Sequence, residues 1–201
     1  MSTTVQSASP QLQVEYETSG EPSGKLGVWW FIASEIMVFG GLIGTYVLFR
    51  VAHGGWPEQT SHVNWRLGAT NTLVLVTSSL TMILALNAAR AERRERAAKF
   101  LLLTVLLGLT FLGVKSIEYT HELREGFTPT SGMFWSFYYI MTGLHGLHVL
   151  GGIVLNATLY FAAVRGSLWS GNRRKRVEFA GLYWHFVDVV WIFLFPLLYL
   201  A

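Results

Sequence analysis

The 201-residue chain contains no cysteine. That absence excludes disulfides, iron–sulfur clusters, thiolate copper centres and c-type haem attachment, and leaves six histidines as the nitrogen ligands available to a metal. Charge is scarce as well: 13% of the residues are Asp, Glu, Lys or Arg, against about 25% in a soluble domain. The deficit argues against an ordinary water-soluble fold. Proline is rare, and the only one inside a long apolar run is Pro196, near the end of the last.

What the chain has is apolar length. It is 52% hydrophobic, with eight Trp, eight Tyr and thirteen Phe, and its mean hydropathy is +0.40. Apolar runs at residues 26–49, 69–89, 97–117, 133–164 and 177–200 each exceed the roughly 20 residues needed to cross a bilayer. The pattern predicts an all-α integral membrane bundle of five transmembrane helices over residues 25–201. The fourth run is long enough to tilt or to project from the membrane. Residues 1–24 are polar, carry Glu15, Glu17 and Glu21, and hold no Lys or Arg. They lack the basic start of a secretory signal and are expected to be a flexible or surface-lying tail. No internal repeat or second domain is visible.

Orientation follows from Lys and Arg in the short loops. The loop after the second run holds Arg90, Arg93, Arg94, Arg96 and Lys99, and the loop after the fourth holds Arg165, Arg173, Arg174, Lys175 and Arg176. The alternate loops hold Arg50 and Arg66, and Arg124. This asymmetry predicts a cytoplasmic N-terminus and an outside C-terminus. Such basic loops read as topology determinants touching anionic lipid rather than as nucleic-acid or calmodulin sites. Residues 53–57 form a turn-rich outer loop, and residues 118–132 are expected to form an acidic one on the same side.

Ionisable residues lie inside the apolar runs, where an isolated charge costs from about 2.5 to above 10 kcal/mol. Counting about 1.5 Å per residue puts Glu35, His145, His148, His185 and Asp188 in one slab, some 8–16 Å from the inner boundary. His145 and His148 share a helical face, as do His185 and Asp188. Asp188 is placed to accept from His185 Nδ1 and fix its tautomer. Lys115 and Glu118, also three apart, are expected near the outer interface as an interfacial pair that snorkels.

Three readings compete on these residues. His145 and His185 at matching depth suit a bis-histidine haem, although His148, Asp188, Trp184 and Trp191 crowd that level. Glu35 and Asp188 suit proton or ion transport, although no helix is broken at its middle. The third reading is structural: imidazoles and carboxylates bond across helices, while Gly143, Gly146, Gly151 and Gly152 let a neighbour approach closely. No nucleophile–base pair or open metal site stands out.

The motifs themselves resemble a known family. Leu144, His145, Gly146, Leu147, His148 and Val149, preceded by Thr142 and Gly143, look like the signature of subunit III of haem–copper terminal oxidases. Residues 183–191, Tyr-Trp-His-Phe-Val-Asp-Val-Val-Trp, look like that family's last-helix motif. Lys25, Leu26, Gly27, Ser34 and Glu35 resemble its first shared helix, and Ile117, Glu118 and Tyr119 its Glu-Tyr step. The resemblance runs from about Lys25 to the C-terminus. Two leading helices of the seven-helix form are missing, so the chain is similar to the five-helix form of many bacterial oxidases.

The resemblance implies a non-catalytic core subunit of a proton-pumping cytochrome c oxidase-type translocase, part of the aerobic respiratory chain in the bacterial cytoplasmic membrane. Haems and copper would lie in partner subunits, and this chain would hold no metal, no redox cofactor and no nucleic acid. It would pack on subunit I, meet subunit II and small subunits, bind phospholipid, and support proton uptake. Glu35 matches the family's carbodiimide-reactive carboxylate. Glu35, His145, His148, Tyr183, His185 and Asp188 are expected to form the buried polar framework. The alternatives are a quinol oxidase subunit, a nitric oxide reductase accessory relative, or a free-standing proton channel.

Overall fold

The computed structural model describes residues 23–169 and 173–200. The expected tail of residues 1–24 therefore lies almost entirely outside the described residues. Six α-helices follow in order: α1 (Ser23–Ala52), α2 (Pro57–His62), α3 (Trp65–Arg90), α4 (Arg94–Arg124), α5 (Met133–Val164) and α6 (Arg173–Phe195). A 3-10 turn (Ser167–Trp169) precedes α6, and a π turn (Pro196–Leu200) continues it. Five of these helices are long and apolar enough to cross a membrane. The chain is thus an all-helical, multi-pass arrangement. The short α2, opened by Pro57 at its first turn, occupies the expected first loop.

The ends follow from local chemistry. Asn64 caps α3, its Oδ1 accepting from the backbone N–H of Arg66 and Leu67 at 3.1 and 3.4 Å. α4 does not stop at residue 117 but runs to Arg124, because Gly126 takes φ +90° and closes the helix. Gly126 N donates to Leu123 O and Phe127 N to Glu122 O, satisfying two carbonyls that the helix end would orphan. The acidic loop expected over 118–132 is therefore half helix. The same motif closes α3, with Glu92 rather than glycine at φ +56°. Pro196 lacks an N–H and cannot continue α6 in register. The chain shifts to a π turn there, which buries both Leu198 and Tyr199.

Helices α3, α4, α5 and α6 pack as a bundle, and α1 leans on α6 and α5. Trp184 sits at the centre, fully buried. A Cβ on Gly152 would lie 2.6 Å from its ring and one on Gly108 2.9 Å, so both glycines are seats for the indole. Its Nε1 donates to Ser78 Oγ at 3.0 Å, tying α6 to α3. Gly68 plays the same part for Phe195 and Tyr199, each within 2.8 Å of a Cβ there. Outward, α1 presents Trp30 and Met37 at 77% and 79% exposure, as a lipid-facing helix should. Gly152→Ala is expected to force Trp184 aside and to cost about 1–3 kcal/mol. Thermal denaturation of the purified protein checks this against Gly113→Ala, where no atom lies within 4 Å and little change is expected.

Candidate functional site: polar clusters inside the helix bundle

The densest cluster lies where α4, α5 and the π turn meet. Lys115 Nζ donates to Glu118 Oε2 at 3.1 Å, to Tyr138 Oη at 3.2 Å and to Tyr199 Oη at 2.7 Å. The two tyrosine hydroxyls donate in turn to Glu118 Oε1, at 2.8 and 2.7 Å. An ammonium has three N–H donors, and each finds an acceptor. The rings of Tyr119, Tyr138, Tyr199 and Trp191 surround the ammonium at 4.8–5.6 Å, adding cation–π attraction. Lys115 is 6% exposed and Glu118 1%. The expected snorkelling is corrected here. The two do pair, but their side chains turn inward among α4, α5 and the π turn instead of reaching outward.

The sequence reading missed Tyr138, Tyr199 and Glu122, all buried. Tyrosines near helix ends look like interface anchors, and nothing local marks these as turned inward. The available signal was Gly126: placing the helix end there would have put Lys115 about nine residues, or roughly 14 Å, inside it.

A second cluster joins α1 to α5. Glu35 Oε2 lies 3.1 Å from His148 Nε2, both side chains mostly buried. His148 Nδ1 lies 2.8 Å from the Leu144 carbonyl oxygen. A carbonyl can only accept, so Nδ1 carries the proton there and Nε2 of a neutral ring would be an acceptor. Protonation of Nε2 would make the contact with Glu35 an ion pair. Phe39 stands edge-on to the His148 ring at 5.3 Å. Tyr183 Oη donates to the His148 carbonyl at 2.9 Å, bringing α6 to the same point.

The remaining sequence-predicted residues do not join that network. His185 Nδ1 pairs with Ser79 Oγ of α3 at 2.6 Å, not with Asp188, which corrects the expected His185–Asp188 bond. Asp188 is buried beside the same Ser79, its carboxylate outside strict hydrogen-bond geometry. His145 is fully buried, stacked on Trp191 at 5.2 Å and edge-on to Phe111 at 5.5 Å. Its two nitrogens are unpartnered among the described residues. The side chains thus form separate contacts: Glu35, His148 and Tyr183 together, His185 with Ser79, and His145 among aromatic rings. Among the described residues, no group of three His, Asp or Glu side chains is arranged to hold a metal ion.

With this geometry in place, the comparisons with known proteins decide the family. The family model described as "Cytochrome c oxidase subunit III" matches residues 11–201. The chain belongs to that family. It is 34% identical over 200 residues to "Cytochrome c oxidase subunit 3" of Thermostichus vulcanus, covering 100% of this chain and 98% of the relative. It is 37% identical over 179 residues to "Probable quinol oxidase subunit 3" of Staphylococcus aureus (strain USA300), covering 88% of each. As a subunit III of the haem–copper oxidases, the chain is a multi-pass membrane protein of a multi-subunit oxidase complex.

Lys115→Met leaves Glu118 buried without its cation and is expected to destabilise the subunit by about 3–5 kcal/mol. Lys115→Met combined with Glu118→Leu should recover much of that loss, and Tyr199→Phe alone should cost about 1–3 kcal/mol. Melting temperatures of the purified complex, read as a double-mutant cycle, check all three.

Proposed function

We propose that this chain is the non-catalytic core subunit III of a proton-pumping, oxygen-reducing haem–copper oxidase of a bacterial cytoplasmic membrane. It holds no haem or copper itself. Those belong to subunits I and II, and this chain packs on subunit I, steadies it and supports proton uptake. The observation that carries this reading is the Glu35–His148 contact at 3.1 Å. It uses the chain's intramembrane carboxylate and imidazole to fasten α1 to α5. Glu35 is accordingly a structural carboxylate that faces His148.

The Lys and Arg asymmetry of the loops supports a cytoplasmic N-terminus and an outside C-terminus. A cleft of about 500 Å³ between α1, α5 and α6 supports phospholipid binding. Its walls are apolar, including Val28, Phe31, Leu155 and Leu159, with Arg176 also lining it. An acyl chain suits the walls and a phosphate suits the guanidinium. The Staphylococcus aureus relative named as a quinol oxidase subunit supports a second reading in which the electron donor is quinol. Donor choice then rests with the neighbouring subunit II.

Affinity purification of the tagged chain from its own membranes is expected to recover subunits I and II with haem and copper. Recovery of the chain alone in an active form would overturn the proposal. His148→Ala, which strips Glu35 of its partner, should lower the yield and shorten the turnover lifetime of the complex with unchanged haem spectra. Asp188→Asn, which keeps the size of a side chain that faces Ser79 without strict hydrogen-bond geometry, should do less.

A further inference from the structure

The α3–α4 hairpin carries a groove at its basic end that the clusters above do not use. It encloses about 700 Å³ and has an apolar floor of Leu84, Ala88, Ala91 and Phe100, a size that suits a ligand. Three cations border it: Arg93, Arg96 and Lys99. Their spacing of three residues runs them along one stripe of the first turns of α4. Arg90, on the same hairpin, is paired with Glu178 of α6 at 3.5 Å. The three groove cations make no ion pair among the described residues. The acidic neighbours Glu92 and Glu95 do not line the groove.

The start of α4 adds to this field. Its N-cap is Arg93, which has no acceptor atom and makes no side-chain cap bond. The helix dipole favours an anion at this end of α4, beside the three cations. Asn87, which also lines the groove, offers a further donor. A free anion would leave the apolar floor bare, and a neutral lipid would leave the cations unmatched. One ligand class meets both demands.

We propose that this groove binds one anionic phospholipid, its acyl chain against Leu84, Ala88, Ala91 and Phe100 and its phosphodiester against Arg93, Arg96 and Lys99. The site is built from different helices than the α1–α5–α6 cleft. It pins the α3–α4 end of the bundle to the membrane boundary by charge, where α6 is held by the Arg90–Glu178 pair.

Native mass spectrometry of the intact, detergent-purified and delipidated complex tests the proposal, with dioleoylphosphatidylglycerol and dioleoylphosphatidylcholine as probes. The wild type should retain one more phosphatidylglycerol than the variant Arg93→Gln/Arg96→Gln/Lys99→Gln, whose affinity for that lipid should fall roughly a hundredfold. Ala91→Trp, which fills the groove with the charges intact, should lose the same lipid. Arg93→Lys/Arg96→Lys should keep it, as should Arg124→Gln at the opposite membrane face. Millimolar inorganic phosphate should not displace it. The Ala91→Trp and Lys variants carry the test if the triple variant fails to assemble. Equal retention by the triple variant or by Ala91→Trp would overturn the proposal, as would phosphatidylcholine binding as tightly or displacement by phosphate. So would carbodiimide cross-linking of Lys99 to a neighbouring subunit, which would make the groove a protein interface.

Discussion

A lysine ammonium sunk among transmembrane helices is stable only if every one of its protons has an acceptor and a counter-charge stands beside it. Lys115 meets that condition through Glu118, Tyr138 and Tyr199, and much of the architecture arranges itself around this requirement. α4 must extend to Arg124 to hold the pair inside. α5 must place Tyr138 opposite, and the C-terminal segment must leave α-helical register at Pro196 so that Tyr199 turns inward. Gly68 is bare because Phe195 and the Tyr199 ring occupy the space its side chain would take. Tyr46 of α1 donates to the Leu197 carbonyl at 2.8 Å, satisfying one of the acceptors that the helix end exposes.

The two polar clusters divide the work of holding the bundle. The Lys115 network closes α4, α5 and the π turn near one end. The Glu35–His148 contact, with Tyr183 on the His148 carbonyl, gathers α1, α5 and α6 further along. Between them the contacts are hydroxyl and indole bonds: Thr81 with Thr104 at 2.7 Å, Trp184 with Ser78, Trp191 with Thr72 and His185 with Ser79. Helices in lipid gain little from apolar burial against one another, so close glycine seats and interhelical hydrogen bonds set which helix meets which. In this subunit of an oxidase complex, polar side chains are spent on fastening helix to helix.

The fold was largely legible in the linear pattern. Five apolar runs and the absence of mid-run proline dictate five spanning helices, because backbone in hydrocarbon must satisfy its hydrogen bonds internally. Helix ends were harder. Residues 118–124 are polar and read as loop, yet they are helix, since Gly126 supplies the left-handed turn that ends α4 and tertiary partners absorb Glu118. The site was legible in part. Glu35 and His148 were recognisable as intramembrane ionisable residues, and their depths agreed well enough to meet.

Partner choice was decided in three dimensions. Spacing of three placed His185 beside Asp188 and His145 beside His148, yet His185 turned to Ser79 and His145 slid between Phe111 and Trp191. Position along one helix leaves rotation and neighbours undetermined, and a side chain with two nitrogens bonds whatever the adjacent helix brings within about 3 Å. By itself the sequence determined that this chain has five stretches long and apolar enough to cross a membrane, holds no thiol chemistry and carries the motifs of its family. Only the tertiary structure decided which carboxylate meets which base, because that depends on how four helices rotate to seat Trp184 and to enclose Lys115.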